Sequence, residues 1–206
     1  MTMSETKKIE TVNLKRRQVL AGATGVVGAV GAAFVAVPFV GSWQPSEKAR
    51  AAGAPVNADI SGLQPGQMIT LNWRGKPVWV VRRTPAMLDQ LAELDSVVRD
   101  PQSESSIQPE YCQNPTRAIK PEFLVVVGIC THLGCSPLYR PAPNSPDMAA
   151  NWRGGFFCPC HGSSFDLAGR VFRSVPAPTN LEIPPHSYLS ETTIRVGEDA
   201  DEGGQA

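Results

Sequence analysis

Two short segments rich in cysteine and histidine constrain this chain more than any other feature of its sequence. The first is CTHLGC at residues 130–135, and the second is CPCHGS at residues 158–163. Together they contain four of the five cysteines and two of the three histidines in the 206 residues. Cysteine and histidine at such spacing indicate a zinc site or an iron–sulfur centre. We expect the two segments to meet at one metal site in the folded chain.

The number of candidate ligands favours the iron–sulfur centre. A zinc site has four ligands and would leave two of the six side chains without a role. An iron–sulfur centre with a C-x-H…C-x-x-H ligand set uses Cys130, His132, Cys158 and His161. Cys135 and Cys160 then stay available to form a disulfide between the two segments. Such a bond needs an oxidising compartment outside the cytoplasm.

The N-terminal region carries adjacent arginines, Arg16 and Arg17, directly before an apolar stretch that runs from Val19 to about Val40. Adjacent arginines in this position are typical of twin-arginine export signals. That route carries folded proteins, so a cofactor can be inserted before export. Export therefore agrees with a disulfide beside the metal site.

The apolar stretch is long enough to stay in the membrane. Some 22 residues at about 1.5 Å each give about 33 Å, against a hydrocarbon core of about 30 Å. We predict a transmembrane anchor helix over residues 19–41. Ala49-Arg50-Ala51 fits an A-x-A cleavage pattern, so a cleaved signal is the alternative. The excess of Lys and Arg before the stretch places residues 1–18 in the cytoplasm and the rest of the chain outside.

Composition divides the rest of the chain into three parts. Residues 42–58 are small and polar, which predicts a flexible hinge without a folded element. Residues 59–197 form the head domain, and the acidic residues 198–206 are predicted to be a disordered tail. Lys plus Arg and Asp plus Glu balance at 19 each, which argues against a nucleic-acid partner.

The head is predicted to be mainly β, since 19 Pro and 18 Gly are spread through the chain. Strands are predicted over residues 68–73, 77–82, 123–129, 155–157, 181–183 and 192–196. A short helix is predicted after Thr84, which is placed to cap it with Pro85 in its first turn. We expect Trp73 and Trp79 in the core, His186 on the surface and Cys112 as a free thiol.

These features together resemble the Rieske iron–sulfur subunit of bacterial cytochrome bc complexes, the ubiquinol–cytochrome c reductases. The resemblance rests on CTHLGC paired with CPCHGS, the twin-arginine anchor, the alanine-rich hinge, the β-rich head and Val-Pro-Ala-Pro at residues 175–178. The cluster domains of ring-hydroxylating oxygenases share only C-x-H…C-x-x-H. The resemblance implies an antiparallel β-sandwich head with an inserted cluster-binding subdomain over about residues 128–179, and one [2Fe–2S] cluster.

The resemblance also implies roles for single residues. His161 becomes the imidazole at the exposed tip that hydrogen-bonds quinol, with His132 beside it, and both are its catalytic residues. Leu133 and the prolines at 176 and 178 shield the cluster from water. Ser163 donates its hydroxyl to a bridging sulfide, which stabilises the reduced cluster. Many members of the family carry Tyr where this chain has Phe165, so we predict a lower potential than in those relatives.

The function implied is that of an electron carrier in the respiratory quinol–cytochrome c reductase, a proton-translocating oxidoreductase. It would oxidise quinol with coupled proton release and pass the electron to a c-type cytochrome. The implied partners are b-type and c-type cytochromes in a dimeric complex. The implied location is the bacterial inner membrane, single-pass, with a periplasmic head. The alternative is the small Rieske subunit of an exported molybdenum oxidase such as arsenite oxidase.

Overall fold

The computed structural model describes residues 13–149 and 151–200. It divides the chain into an N-terminal unit up to Ala49 and a second unit from Arg50 onward. Of the predicted cytoplasmic segment 1–18, residues 1–12 lie outside the described part, as do residues 201–206 of the predicted tail.

The N-terminal unit is dominated by one long helix, α1, over Leu14–Gly41. The side chain of Asn13 accepts a hydrogen bond from the Arg16 amide at 3.2 Å, which caps the helix and starts it five residues before the predicted anchor. An 18-residue window of α1 has a mean hydropathy of 2.0, and its apolar side chains are exposed. By length and composition this helix is able to cross a membrane.

The segment predicted as a flexible hinge without a folded element contains two folded elements, so the absence of folded structure was predicted wrongly, whereas its flexibility stays a prediction. Helix α2 covers Glu47–Ala52 and strand β1 covers Val56–Asp59. The sequence EKARAA has high helix propensity, and Ser46 Oγ accepts the Ala49 amide at 3.2 Å. The head therefore begins at β1, three residues before the predicted boundary.

The second unit is built on three antiparallel sheets, which confirms the mainly β prediction. The first sheet has the order β1-β9-β8, with β8 over His186–Ser190 and β9 over Thr193–Val196. The second has the order β2-β3-β4, with strands Met68–Trp73, Lys76–Arg82 and Phe123–Val127. The third has the order β5-β6-β7, with strands Leu138–Arg140, Gly155–Phe157 and Ser164–Phe165.

The second sheet separates two cores, because alternate residues of a strand face opposite sides. On one side Val78 and Val80 pack with residues of β1 and β9. On the other side Trp79 and Val81 pack with Cys130 and Cys158 of the two Cys/His segments. The ring of Trp79 stacks on Phe156 of β6 with centroids 5.2 Å apart. This contact attaches the third sheet to the second.

The predicted short helix is confirmed as α3, Pro85–Glu93. Thr84 Oγ1 accepts the Met87 amide at 3.3 Å and Pro85 is the first helical residue. A 3-10 turn over Glu110–Cys112 is the only helical element in the described part of the long connection between α3 and β4.

The predicted strand over residues 181–183 does not form, although Leu181 and Ile183 are buried. Its backbone bonds go to separate segments: the Leu181 amide donates to Gly169 O and the Ile183 amide donates to Ile107 O. The apolar pattern correctly predicts that these side chains are buried, but no single neighbouring strand pairs with residues 181–183.

His186 is buried, so its predicted surface position is wrong. It begins β8 opposite Val196, and its Nδ1 lies 2.9 Å from Pro184 O. Burial lowers the pKa of His186. The predicted disordered tail is also wrong at its start, because Asp199 Oδ1 accepts the Tyr111 hydroxyl at 2.6 Å.

Candidate iron–sulfur site

The first ligand loop, residues 130–135, follows β4 and is closed by two backbone hydrogen bonds. The Cys130 amide donates to Cys135 O at 2.8 Å, and the Gly134 amide donates back to Cys130 O at 3.1 Å. Gly134 has φ of 85°, a left-handed conformation that glycine adopts without strain. The loop is therefore a tight turn with His132 near its tip.

The second ligand loop, residues 158–163, joins β6 to β7 and repeats this geometry. The Cys158 amide donates to Ser163 O at 2.8 Å, and the Gly162 amide donates to Cys158 O at 3.0 Å. Gly162 takes the same left-handed role, with φ of 76°. Two loops of unrelated position in the chain thus present one cysteine at the base and one histidine further out.

The predicted disulfide is confirmed, because Cys135 and Cys160 are bonded with their Cα atoms 6.7 Å apart. It ties the outer halves of the two ligand loops together. The sulfur atoms of Cys135, Cys158 and Cys160 all lie within 4.8 Å of one another. Two of these three are in the disulfide, so they are not available as thiolate ligands and this group is not itself a metal site.

The remaining cysteines of the two loops are free and buried. Cys130 and Cys158 are each 2% exposed, and the Cys130 thiol interacts with Cys158 and with the Ser163 hydroxyl. Burial raises the pKa of the Cys130 thiol. Since a metal binds the thiolate, a bound cation supplies the charge that stabilises this form.

The two histidines of the loops face each other at the outer end of the site. Their rings are perpendicular with centroids 4.8 Å apart. His132 is half-buried and His161 is exposed. Two sulfur donors are thus paired at the buried end and two imidazoles at the exposed end. This donor set fits a [2Fe–2S] cluster with Cys on one iron and His on the other.

The segment after the second loop lies against both loops. The Ala177 amide donates to Ser163 Oγ at 3.0 Å, and Thr131 Oγ1 donates to Thr179 O at 2.7 Å. Ala177 is buried, whereas the flanking prolines are exposed. Sequence reasoning missed Thr131 and Ala177, because neither residue type carries a signal for a metal site.

Leu133 and Phe165 occupy opposite environments. Leu133 is 72% exposed at the tip of the first loop, and its shielding role stays a prediction. Phe165 is fully buried in β7 and belongs to the same apolar cluster as Cys130 and Cys158. The Phe165 ring is therefore part of the buried apolar cluster that contains both cysteines.

Cys112 is a free thiol, as predicted, and it is buried in the 3-10 turn. Burial raises the pKa of Cys112 to about 11. We expect iodoacetamide at pH 8 to alkylate Cys112 at least about a hundredfold more slowly in the native protein than in urea, because the thiolate is scarce and enclosed. Mass spectrometry of the peptide that contains Cys112 measures this. Equal rates in native and unfolded protein would show that the thiol is accessible.

Two families match the chain. The family described as "Ubiquitinol-cytochrome C reductase Fe-S subunit TAT signal" matches residues 6–46. The "Rieske [2Fe-2S] domain" family matches residues 55–185, which include both ligand loops and the segment that covers them.

Curated relatives match over almost the whole chain. The ubiquinol-cytochrome c reductase iron-sulfur subunit of Allochromatium vinosum is 63% identical over 188 residues, covering 91% of each chain. That of Blastochloris viridis is 41% identical, covering 91% of this chain and 96% of the relative. A solved chain titled "Hyperthermophilic respiratory Complex III" is 29% identical with a TM-score of 0.43, covering 86% of this chain and 98% of that one. The chain belongs to the family of Rieske [2Fe–2S] subunits of ubiquinol–cytochrome c reductase.

Proposed function

We propose that this chain carries electrons from quinol to a c-type cytochrome in ubiquinol–cytochrome c reductase, with coupled release of protons. Cys130, Cys158, His132 and His161 would hold its [2Fe–2S] cluster. The observation that carries the proposal is the pair of perpendicular imidazoles, 4.8 Å apart, at the exposed end of a site whose cysteines are buried. A substrate in a neighbouring protein is able to reach these imidazoles without entering the head.

The exposed end of the site, with the imidazoles, and the buried end, with the cysteines, would have different roles. When bound, the cluster supplies a one-electron acceptor whose potential lies at about −150 to +300 mV in Rieske centres. One ring nitrogen of His161 would bind iron, which leaves the other to accept a hydrogen bond and then a proton from a quinol hydroxyl. His132, half-buried beside it, would fix the ring orientation. The apolar cluster behind Cys130 and Cys158 would exclude water.

The location proposed is the bacterial inner membrane, with α1 as a single anchor, the N-terminus in the cytoplasm and the head in the periplasm. Three observations support it: the length and hydropathy of α1, the match to the twin-arginine signal family, and a disulfide that needs an oxidising compartment. Movement of the head on the link between α1 and β1 belongs to the same proposal.

The proposed partners are a b-type cytochrome that binds quinol and a c-type cytochrome that accepts the electron, within a dimeric complex. The curated relatives are named as subunits of the reductase, which favours this function over the molybdenum oxidase alternative.

Isolation of the protein from solubilised membranes tests the proposal. We expect b-type and c-type haem in the same complex, together with quinol-dependent reduction of cytochrome c. His161→Ala should abolish that reduction. Co-isolation with a molybdenum subunit and no haem b would contradict the proposal.

Phe165→Tyr should raise the midpoint potential of the cluster. Phe165 belongs to the buried cluster that contains both cysteines, and the family resemblance implies that a hydroxyl at this position donates to a ligand thiolate and stabilises the reduced state. A preference of about 1.4 kcal/mol for that state corresponds to an upward shift of about 60 mV for one electron. Redox titration followed by EPR measures it, with Phe165→Leu as a control that changes the ring without adding a donor. Absence of an upward shift in the tyrosine variant would refute the role given to this position.

A further inference from the structure

Arg99 lies outside both ligand loops, but its guanidinium reaches the segment that lies against them. This proline segment is VPAPT, residues 175–179. Nη2 of Arg99 donates to Val175 O at 3.1 Å, and Nη1 donates to Pro178 O at 3.2 Å. One planar group therefore holds two carbonyls that lie three residues apart, which a lysine ammonium at a single point does not reproduce.

The backbone of Arg99 is itself fixed to the cluster-binding subdomain. The Arg99 amide donates to Val171 O at 2.8 Å, and the preceding Val98 forms an antiparallel bridge with Phe172. The side chain thus starts from a stable position and reaches across to the proline segment.

The proline segment in turn contacts the site through Ser163. The Ala177 amide donates to Ser163 Oγ at 3.0 Å, and the Ser163 hydroxyl interacts with the Cys130 thiol. Two of the five residues in the segment are prolines, which have no N–H to donate to a sheet. The segment therefore does not pair as a strand, and its carbonyls accept hydrogen bonds from other parts of the chain. Arg99 donates two of these bonds.

We propose that Arg99 is a positioning residue of the cluster site, holding the proline segment against Ser163 so that the Ser163 hydroxyl keeps its orientation in the site. A hydroxyl oxygen that accepts a hydrogen bond becomes a stronger donor through its own hydrogen. Loosening of the Ala177–Ser163 bond weakens the donation from the Ser163 hydroxyl to the bound cluster, and this disfavours the more negative, reduced state. The inference depends on Cys130 as a ligand but not on the quinol chemistry.

The test uses the full-length, cluster-loaded protein with Arg99→Lys, which keeps the charge and removes the planar fork. The matched control is Arg173→Lys. Arg173 is also exposed, and its Nε donates to Val98 O at 2.9 Å. Within the described part of the chain, Arg173 makes no hydrogen bond to the proline segment. Two quantities are measured: hydrogen–deuterium exchange of the peptide over residues 175–179, and the midpoint potential. Arg99→Gln is the second variant, if the lysine variant does not load iron.

We expect exchange in the proline segment to be about tenfold faster in Arg99→Lys than in the wild type, with a lower midpoint potential. Arg173→Lys should change neither quantity. Unchanged exchange, an unchanged potential, or equal changes in the Arg173 control would each overturn the inference. Quinol oxidation is not a readout, so failure of the proposed function leaves this test intact.

Discussion

Asp166→Asn should destabilise the head domain by about 3–5 kcal/mol, because it removes the buried partner of a buried cation. Asp166 and Arg170 are both fully buried, and Arg170 Nε donates to Asp166 Oδ2 at 2.7 Å. The other carboxylate oxygen, Oδ1, accepts the backbone amides of Ala168 and Arg170. Asparagine keeps at most one oxygen for these donors and no charge for the guanidinium.

Without the Asp166 charge, the remaining partners of the Arg170 guanidinium would compensate its buried positive charge less well. Burial alone lowers the pKa of Arg170, but the charges of Asp166 and Asp95 raise it above its ordinary value. Asp95 is 44% exposed, so water already screens it. Nη2 of Arg170 also donates to Leu91 O in α3 at 2.6 Å. Loss of Asp166 therefore loosens both the turn after β7 and its attachment to α3.

Urea unfolding of the full-length protein, followed by tryptophan fluorescence, measures this effect. The matched control is Asp147→Asn, since Asp147 pairs with Arg140 at 2.9 Å but the two side chains are 57% and 37% exposed. An exposed pair contributes about 0–1 kcal/mol, so the control should unfold almost like the wild type. Equal losses in the two variants would show that burial of the Asp166 pair adds no stability.

Strands whose own residues show a clear apolar pattern were predictable from the sequence. The strand over Met68–Trp73 was found with its correct limits, and β4 was found because FLVVV is apolar throughout. β7 has only two residues, and β8 begins with a histidine and a serine. Neither strand has a pattern of its own, since both form by pairing with distant strands.

The burial of two arginines was not predictable either, because it also depends on contacts with distant parts of the chain. Arg83 and Arg117 are almost fully buried because they donate to carbonyls of remote loops. Arg83 Nη1 reaches Leu167 O at 3.0 Å, and Arg117 Nη2 reaches Leu181 O at 2.8 Å. A sequence scale treats arginine as exposed, and the acceptors exist only after the chain has folded.

The meeting of the two ligand loops and their disulfide were predictable from the sequence. Cysteine and histidine are scarce and chemically specific, so their spacing is informative, and the ligand set that it indicates stays a prediction. The contact between Ala177 and Ser163 was not predictable, because the donor is a backbone amide and any residue except proline supplies one.

Loss of the disulfide should release the cluster from the otherwise folded head. In Cys135→Ser/Cys160→Ser the two loops lose the bond that joins them across a sequence separation of 25 residues. Without this bond the outer halves of the two loops would be free to separate, which would expose the bound cluster to water. We expect most of the iron and the Rieske EPR signal to be lost on dialysis, while the far-ultraviolet circular dichroism stays unchanged.

The double variant is compared with each single variant, since a lone thiol at 135 or 160 adds its own chemistry near Cys158. Its sulfur lies within 4.8 Å of both disulfide sulfurs. If the double variant retains as much iron as the wild type, contacts other than the disulfide hold the two loops together. That support would be the apolar cluster around Cys130 and Cys158 and the hydrogen bond from Thr131 to Thr179. If iron is lost only in the single variants, the damage comes from the freed thiol and not from the missing bond.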